Sequence, residues 1–383
     1  MMNSEILKQL DGYDNVINER EVLKRYGYDY RLDRGFVRKY LERLHPRYIT
    51  TKIIDIIEET PSTKTLRLAS VEKYLPPFQA GQYISVNVDI DGIRTSRPYS
   101  ISSSPDETAY YDITIRRVEG GFVSHYLLDS TKIGNTLQIS SPAGNFIHNP
   151  IIHSNELVFI AGGSGITPFK SMIQHAVNTG ISRDIWLIYG NKNSEELLFH
   201  DYFTIVAKKY PTIRYVQVLE EGGASYNGYI TAKIIKEVVG DSSSKTFFVC
   251  GPQGLYKHIL NELQTLQLKP RQIRMEMYGV PTDVFKQSGW PEDVTPDSKF
   301  KITIKNKKEF TVAAGEPLLN SMEKNGVIVP SLCRSGECSL CRVKLISGKV
   351  YQPEGVKLRQ ADRRFGYIHS CAAFPITDCE IML

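Results

Sequence analysis

The sequence predicts a multidomain protein with an antiparallel β-barrel, a parallel-sheet α/β domain and a small, mostly β module at its C-terminal end. Short β-rich runs separated by turn residues before position 150 predict the barrel. Continuous apolar strands that alternate with helical stretches after that position predict the parallel sheet. The length of 383 residues suits two or three domains of ordinary size.

Composition and charge exclude several classes of protein. The chain is 41% hydrophobic and 23% charged, as in ordinary globular proteins, and its net charge of +5 is too small to indicate a nucleic-acid partner. It lacks an apolar run of about 18 residues, so we expect no membrane span. The first fifty residues show no signal peptide, and the six cysteines suggest no disulfide framework. We therefore expect a cytoplasmic location.

The first two segments differ in character. Residues 1–47 are highly charged and predict a helical N-terminal extension that ends near Pro46. Whether this extension packs as a strap on the next domain or serves in docking or dimerisation stays open. Residues 48–150 predict the barrel, in which Asp91-Gly92 lies between two alternating runs and predicts a two-residue hairpin turn.

The remaining chain predicts an α/β domain, a linker and a third module. The α/β domain covers residues 151–279, and its first strand, 157–161, is apolar throughout. Residues 280–298 hold three prolines and few apolar side chains, which predicts a linker. Residues 299–383 hold 14 Lys and Arg against 8 Asp and Glu. This excess suits an acidic partner protein or, equally, a solvated strand face, because residues 299–308 alone hold five lysines.

Four cysteines in the last module have the spacing C-x4-C-x2-C followed by a distant fourth, which is typical of a plant-type [2Fe-2S] site. Gly336 permits a sharp turn between them, and the small Ser335 and Ser339 let backbone N–H groups approach the sulfurs. A structural zinc site is the alternative, but such sites pair two short knuckles, and the second half here has one cysteine and no nearby histidine that completes a knuckle. The predicted metal ligands are Cys333, Cys338, Cys341 and Cys371.

Two short motifs in the barrel predict a flavin site. The motif Arg97–Ser100 offers a cation for a phosphate, an aromatic face for the ring and a hydroxyl near the reactive nitrogen. About twenty residues later, Gly120–Ser124 opens a short predicted helix, whose free N–H groups would favour an anion. Either motif alone is weak, because a simple turn would explain it; their order, ahead of an α/β domain, is specific.

Two glycine-containing motifs in the α/β domain predict a dinucleotide site. Ala161–Pro168 (AGGSGITP) follows a strand and precedes a helix, as a phosphate-binding loop does. Cys250-Gly251-Pro252 follows another strand, and the carboxyl ends of parallel strands meet at one edge of the sheet. We therefore expect the two motifs to lie side by side. A lone cysteine such as Cys250 is more commonly a small core residue.

In this order the motifs resemble the ferredoxin-NAD(P) reductase family, specifically its NADH-dependent reductase components with a fused C-terminal ferredoxin. The resemblance covers residues 50–383. It implies a flavin-binding barrel, a nucleotide-binding α/β domain and a β-grasp ferredoxin-like domain. It also implies an NADH-dependent oxidoreductase in which electrons pass from NADH to FAD, to a [2Fe-2S] cluster and then to a separate acceptor protein, such as the oxygenase of a multicomponent system.

The identity of the acceptor stays open. A Rieske or diiron oxygenase, a cytochrome, or an oxygen-independent partner such as a hybrid-cluster protein would each suit, and the basic last module favours an acceptor with an acidic docking face. An electron-input subunit of a larger redox complex and a zinc-stabilised flavin reductase are alternatives in other functional classes. The sequence carries no signal of oligomeric state.

The resemblance implies roles for individual residues. Ser100, Cys250 and Glu276 would be catalytic, with Cys250 near the reactive nicotinamide and Glu276 near the hydride face of the flavin. The flavin contacts would be Arg97, Pro98, Tyr99, Ser100, Ile115, Arg116, Gly121, Val123 and Ser124. The nucleotide contacts would be Gly163, Ser164, Thr167, Pro168, Tyr189, Gly190, Asn191, Cys250, Gly251 and Pro252.

Two further choices follow from local sequence. The loop Pro142–Phe146 resembles the FAD-using branch of the family, which favours FAD over FMN. The carboxylates of Glu220 and Glu221, directly after a predicted strand, would repel a 2′-phosphate and so favour NADH over NADPH. Lys192 is a nearby cation that would oppose this preference.

Overall fold

The computed structural model describes residues 8, 11–26, 36–281 and 283–383. The predicted helical extension is covered only in part, since residues 1–7, 9–10 and 27–35 lie outside the described residues. Its described helices are α1 (Tyr13–Tyr26) and α2 (Phe36–Leu44). Met1–Arg47 forms one compact unit and Tyr48–Leu383 another, and every predicted site residue belongs to the second. No helix in the described ranges is both long and apolar enough to cross a bilayer.

A six-stranded antiparallel barrel opens the larger unit. Its strands are β1 (Tyr48–Thr60), β2 (Thr63–Ser70), β3 (Tyr83–Ile90), β4 (Ile93–Ser100), β5 (Tyr111–Arg116) and β6 (Thr136–Ser140). They pair in the order β4-β3-β6-β1-β2-β5, and a bridge between Ile101 and Ile113 joins the end of β4 to β5 and closes the barrel. Asp91 and Gly92 both have positive φ between β3 and β4, so the predicted two-residue hairpin turn is confirmed.

The barrel core follows from strand alternation. In β6, Leu137 and Ile139 point into the core while Thr136 and Gln138 are exposed, which is the period of two expected for a strand buried on one face. Between β5 and β6 the chain forms the four-residue helix α3 (Phe122–His125), which continues into a π-helical turn.

The α/β domain contains a six-stranded sheet whose strands are all parallel. The strands are β7 (Glu156–Gly162), β8 (Asp184–Asn191), β9 (Ile213–Leu219), β10 (Tyr226–Asn227), β11 (Thr246–Gly251) and β12 (Ile273–Met277). The helices are α4 (Thr167–Thr179), α5 (His200–Lys209), α6 (Ala232–Val239) and α7 (Gln253–Thr265). The order is β10-β9-β8-β7-β11-β12, so the direction of winding switches between β7 and β11. Ligands of such sheets bind at the carboxyl ends of the strands beside this switch point.

The segment between the second and third domains packs through one aromatic side chain. The Trp290 ring lies edge-on to the rings of Phe285, Tyr351 and Phe374, and its indole N–H donates to the Val294 carbonyl at 2.9 Å. The segment predicted to be a linker is therefore also packed against the last domain, through Trp290.

The last domain has a five-stranded mixed sheet. Its strands are β13 (Lys299–Ile304), β14 (Lys308–Ala313), β15 (Arg342–Ser347), β17 (Tyr367–His369) and β19 (Cys379–Met382), with β16 (Val350–Tyr351) and β18 (Phe374–Pro375) forming a separate pair. The helices are α8 (Leu318–Lys324) and α9 (Gln360–Arg364). The order β14-β13-β19-β15-β17 sets β14 and β17 at opposite edges, and β17 leads directly into Cys371.

Candidate active site and metal centre

The carboxyl ends of the parallel strands border a cavity of about 500 Å³. Backbone atoms of Gly162, Gly163 and Gly190 line it. Gly165 cannot carry a side chain, because a Cβ there would lie 2.1 Å from the Cys250 carbonyl oxygen. The Gly-rich loop and the Cys250–Pro252 tripeptide therefore meet at the switch point, as the sequence predicts.

Hydrogen bonds hold the Gly-rich loop in place. The Thr167 hydroxyl donates to the Ser164 carbonyl at 2.7 Å, and the buried Tyr189 hydroxyl donates to the Gly163 carbonyl at 2.9 Å. Pro168 lies in the first turn of α4, where its missing N–H costs no hydrogen bond. Tyr189 thus holds the loop through a buried hydrogen bond, and the backbone of the loop at Gly162 and Gly163 faces the cavity.

Charged side chains stand at the mouth of this cavity. Glu220 lines it and accepts a hydrogen bond from the Tyr229 hydroxyl at 3.1 Å. Lys192 also lines it, but its Nζ lies 3.7 Å from a carboxylate oxygen of Glu221. The lysine charge is therefore partly offset by a neighbour. Asn191 lines the cavity beside them.

Arg116, predicted to contact the flavin, lies between the barrel and the Gly-rich loop. Its guanidinium is 3.6 Å from a carboxylate oxygen of Glu196, and a Cβ on Gly163 would come within 2.4 Å of its Nη1. Arg116 lines the nucleotide cavity, whereas the side chain of its neighbour Ile115 is buried in the barrel core.

Strand β4 carries the predicted flavin motif. Arg97 and Tyr99 share one face of the strand, and Ser100 lies on the other. Arg97 donates to the Thr95 hydroxyl at 2.9 Å, and burial together with the charge of Arg334 lowers the pKa of Arg97 to about 10. A cation, an aromatic ring and a hydroxyl from one strand are the groups that flavin binding needs, so these residues fit the cofactor.

The second barrel motif forms a compact turn. The Ser124 hydroxyl accepts from the Val118 N–H at 3.3 Å, and Val123 is buried in the barrel core. Gly121 is tightly placed, since a Cβ there would lie 2.4 Å from the Ser124 hydroxyl oxygen. These contacts stabilise the turn itself, and none of them reaches Arg97.

The loop that favours FAD in the sequence links two domains. Ala143 pairs with Tyr83 at the end of β3, and the ring of Phe146 packs against the rings of Phe169 and Phe248 in the α/β core. The loop therefore fixes the barrel to the second domain.

A second cavity, of about 20 Å³, lies where all three domains meet, and we call it the junction. Its volume admits about one water molecule. Ser100 in this junction lies 2.9 Å from the Tyr278 hydroxyl and 3.5 Å from a Glu276 carboxyl oxygen. The lining includes Tyr83, Pro98 and Ser100 of the barrel, Glu276 and Tyr278 of the α/β domain, and Cys333 and Glu337 of the last domain.

Burial controls the protonation of the junction. Burial first, and the charge of Glu337 second, raise the pKa of Glu276 to about 8, although the Ser100 hydroxyl acts in the opposite direction. Cys250 lies in register with Glu276 on the neighbouring strand, and burial raises the pKa of its thiol. Both groups are therefore neutral at pH 7, and the three residues predicted to be catalytic lie together around Tyr278.

The cluster loop, Cys333–Cys341, folds tightly around its first cysteine. The backbone N–H groups of Ser335 and Cys338 point at the Cys333 sulfur, at 3.5 and 3.3 Å. This is the approach that the small residues of the motif predict, and such hydrogen bonds tune the potential of an iron–sulfur site. The loop needs three residues with positive φ: Arg334, Gly336 and Ser339.

Three contacts join the four predicted ligand thiols into one group. Cys333 interacts with Cys338 and Cys371, and Cys341 interacts with Cys371, and hydrogen bonding from its neighbours lowers the pKa of Cys333. Within the described ranges, no three His, Cys, Asp or Glu side chains gather around a single metal ion. A [2Fe-2S] cluster is held by four cysteine thiolates, so four cysteines gathered in one group would fit it.

His369 supports the cluster loop, a role that the sequence did not indicate. Its ring is fully buried, with Nδ1 2.8 Å from the Gly336 carbonyl and Nε2 3.0 Å from the Ser339 hydroxyl. Its position two residues before Cys371 is the only sequence signal of this role.

A buried ion pair joins the last domain to the barrel. Arg334 of the cluster loop donates to both carboxylate oxygens of Glu323 on α8, at 2.7 and 2.8 Å. Thr95 of β4 donates to the same carboxylate at 2.8 Å, and Glu323 and Arg334 are only 7% and 6% exposed. The sequence did not indicate this network, in which Thr95 is 228 positions from Glu323.

Comparison with known proteins assigns a family to each domain. An oxidoreductase FAD-binding domain matches residues 51–148, an oxidoreductase NAD-binding domain matches 159–261, and a 2Fe-2S iron–sulfur cluster binding domain matches 302–375. Each range lies inside one of the three modules predicted from the sequence, although the exact domain boundaries remain predictions.

Relatives with the same arrangement match most of the chain. The glycine betaine monooxygenase reductase subunit of Chromohalobacter salexigens is 26% identical over 85% of this chain and 92% of its own length. NADH oxidoreductase HCR of Escherichia coli is 29% identical over 84% of this chain and 94% of its own length. The structure of phthalate dioxygenase reductase superposes with a TM-score of 0.67 at 21% identity, covering 88% of this chain and 97% of that one. The chain therefore belongs to the ferredoxin-NAD(P) reductase family, as an NADH-dependent oxidoreductase that uses FAD and carries a C-terminal [2Fe-2S] domain.

Proposed function

We propose that this protein transfers electrons from NADH, through FAD and its [2Fe-2S] cluster, to a separate acceptor protein, the oxygenase component of a multicomponent system. The observation that carries the proposal is the junction, where Ser100, Glu276 and Cys333 line one small cavity. Relatives named as reductase components of monooxygenases support this class of acceptor. We further propose that the acceptor has an acidic docking face and that the protein works in the cytoplasm.

The nucleotide cavity would bind and release NADH. Its glycine walls let a dinucleotide approach the backbone N–H groups of the loop at Gly163. Glu220 at the mouth would accept hydrogen bonds from a ribose and repel a 2′-phosphate, and Glu221 offsets the charge of Lys192. These contacts favour NADH over NADPH.

The barrel would hold the flavin through β4, with Arg97 as the cation, Tyr99 as the aromatic surface and Ser100 as the hydroxyl. Bound FAD supplies the chemistry that separates a two-electron donor from one-electron acceptors. Glu276 would hold its proton at neutral pH, because burial raises its pKa to about 8. A neutral carboxyl keeps a negative charge out of the space beside Cys333, where it would oppose the entry of an electron.

The cluster loop would position the four thiolates against the junction. Arg334 ties the loop to Glu323, Glu323 bonds to Thr95 of the barrel, and His369 also supports the loop. The distance between the two redox sites is therefore set by packing within one chain.

Anaerobic titration of the purified protein with NADH, followed by visible absorption, tests the proposal. We expect the flavin bands and the broader iron–sulfur absorbance both to bleach with NADH, and much less with equal NADPH. Iron analysis should give two irons for each flavin. Bleaching of the flavin alone, with zinc in place of iron, would contradict the proposal and favour a zinc-stabilised flavin reductase.

A further inference from the structure

The segment between β16 and β17 is fixed onto the cluster loop. We call residues 356–365 the cluster strap. The Lys357 N–H donates to the Gly336 carbonyl at 3.0 Å, and the Lys357 ammonium pairs with Glu337 of the loop. A Cβ on Gly336 would lie 3.1 Å from the Val356 side chain, so the two segments are in close contact.

A second anchor holds the other end of the strap. The buried Asp362 carboxylate accepts from the guanidinium of Arg342, which follows the ligand Cys341 directly. The cation of Arg342 also lies 4.6 Å from the centre of the Tyr367 ring. The strap is thus fastened at both ends beside cluster ligands.

The outer surface of the strap carries uncompensated positive charge. Its single acid, Asp362, is buried and paired, so it does not neutralise this surface. Among the ion pairs of the described residues, none involves Arg359, Arg363 or Arg364. Phe365, at the end of α9, is 63% exposed and adds a large apolar side chain to the patch. The exposed cations without an ion pair are Arg359, Arg363 and Arg364, and a fourth exposed cation, Lys357, is paired with Glu337.

The cluster loop has a buried half and an exposed half. Residues Cys333–Gly336 are buried, and Cys333 lines the junction. Residues Glu337–Leu340 are more exposed, with Leu340 at 47%. An electron that enters on the buried side would therefore leave most easily on the side of Leu340, and the strap contacts this half through Glu337.

Two separate basic patches lie on the last domain. The lysines of residues 299–308 lie on β13, in the turn to β14 and at the start of β14, on the side of the sheet opposite β17. Lys301 of this patch is paired with Glu309 at 2.6 Å. The strap is therefore the basic patch that lies next to the cluster, and the lysine patch is distant from it.

We propose that the cluster strap is the docking surface for the acceptor protein, and that the acceptor presents carboxylates around an apolar contact for Phe365. The inference rests on the proposed function and names the surface through which it operates. Charge complementarity carries it: Arg359, Arg363 and Arg364 are exposed beside the cluster loop and form no ion pair among the described residues, whereas Lys357 is paired with Glu337. Such a patch steers an acidic partner towards the point where the cluster is nearest to solvent.

The test compares two charge-reversed variants of the full-length holoprotein. The strap variant carries Arg359→Glu, Arg363→Glu and Arg364→Glu. The matched control carries Lys299→Glu, Lys305→Glu and Lys307→Glu, three exposed residues at the far sheet edge, and so has the same change in net charge. The probe acceptor is cytochrome b5, an acidic haem protein, and ferricyanide serves as a small acceptor that needs no docking surface.

We expect the strap variant to lose about tenfold or more in kcat/KM for cytochrome b5 at low ionic strength, with a flatter dependence on salt. The control should stay within about twofold of the wild type, and both variants should keep the ferricyanide rate and the iron–sulfur absorbance. A milder variant, with glutamine at the same three strap positions, should lie between the wild type and the strap variant.

Two results would overturn the proposal. One is an unchanged kcat/KM for cytochrome b5 in both strap variants, and the other is an equal loss in the far-edge control. Failure of the proposed function itself has a different signature, because NADH would then not bleach the iron–sulfur absorbance of the wild type at all.

Discussion

The two ends of the proposed electron path are built in opposite ways. The nucleotide cavity has a volume of about 500 Å³ and glycine walls, whereas the junction between flavin strand and cluster loop has about 20 Å³. The cavity must admit and release a dinucleotide on every turnover, and glycine walls without side chains leave room for this. The junction passes only electrons, so it can be closed and packed. The difference shows which parts of the molecule tolerate change.

The closed region is also the more strongly tied. Glu323 gathers hydrogen bonds from Arg334 and Thr95, and Ser96 of the barrel lies 3.3 Å from Ser331 of the last domain. At the mouth of the open region, in contrast, the pair of Lys192 and Glu221 is more than 60% exposed on both sides. Perturbing the first region should affect transfer between cofactors, and perturbing the second should affect substrate choice.

Removal of a cluster ligand should have the largest effect, because it disrupts the closed region and leaves the open region intact. We expect Cys371→Ser to abolish the iron–sulfur absorbance and to lower NADH-driven reduction of cytochrome b5 on the order of 100-fold or more, because the buried thiolate is replaced by a poor ligand. Ferricyanide reduction should change by less than about threefold, since the flavin region is intact. Cys379→Ser, at a cysteine outside the ligand set, is the control. Retention of the cluster in the Cys371 variant would contradict the assignment.

Loss of the Glu323 carboxylate should loosen the closed region. Glu323→Ala leaves the Arg334 guanidinium buried without its partner, and breaking such a pair costs about 3–5 kcal/mol. We expect loss of the iron–sulfur absorbance at a lower temperature, and a larger fall in cytochrome b5 reduction than in ferricyanide reduction. The neighbouring Lys324→Ala removes an exposed pair with Glu316 and should cost about 1 kcal/mol or less. Equal effects in both variants would rule out a special role for the buried pair.

A side chain at the switch point should damage the open region. Gly165→Ala drives a Cβ against the Cys250 carbonyl, and overpacking of this kind costs about 1–3 kcal/mol. We expect a raised KM for NADH in steady-state kinetics, with the iron–sulfur spectrum unchanged. Gly223→Ala, at a glycine where an added Cβ would meet nothing within 4 Å, provides the control. A wild-type KM in the Gly165 variant would contradict the tight packing of the two loops.

Reversal of charge at the cavity mouth should change cofactor choice without touching the junction. We expect Glu220→Arg to raise kcat/KM for NADPH relative to NADH by about tenfold, equivalent to about 1.4 kcal/mol, because a repelling carboxylate becomes a phosphate ligand. Bleaching of the cluster by either nucleotide should go to the same end point. An unchanged ratio would mean that Glu220 does not face the 2′ position.

The last prediction concerns the pH dependence of stability. Burial raises the pKa of Glu276 from its ordinary 4.5 to about 8, so between these values the folded protein holds a proton that the unfolded chain releases. The contribution to stability is complete below pH 4.5 and is lost as the pH rises through 8. We expect the denaturation midpoint of the wild type to fall between pH 5 and 8.5 relative to that of Glu276→Gln. Parallel curves for the two proteins would contradict the raised pKa.

Local signals in the sequence predict the fold well and identify four cysteines that the structure brings together. Asp91-Gly92 predicts its hairpin because both positions need positive φ, and the cysteine spacing reflects a single loop. Glu276 was identified through family resemblance, whereas Tyr278, on the same face of the chain two residues later, was not, although it bonds to Ser100. The alternation of side chains along an extended chain could have identified Tyr278, because residues two positions apart share a face.

The contacts that tie the domains together could not be predicted in this way. Thr95 and Glu323 are 228 positions apart, and neither is unusual in its own segment. Their pairing depends on how two finished domains pack, which no local pattern encodes. The same holds for the strap: its cations are visible in the sequence, but their place beside the cluster, and the distance of the lysines of β13, follow only from the strand order.

The hydrogen bonds of Glu323 limit which domains could be exchanged between related reductases by recombination. A ferredoxin-like domain grafted from another reductase would bring its own partners for α8, but the recipient barrel would still present Thr95 and Ser96 at the contact. A chimaera with its breakpoint between the second and third domains would therefore preserve each fold and lose the fit between them. A functional exchange would therefore have to transfer the last domain together with the part of β4 that contacts it, although these two segments are far apart in the chain.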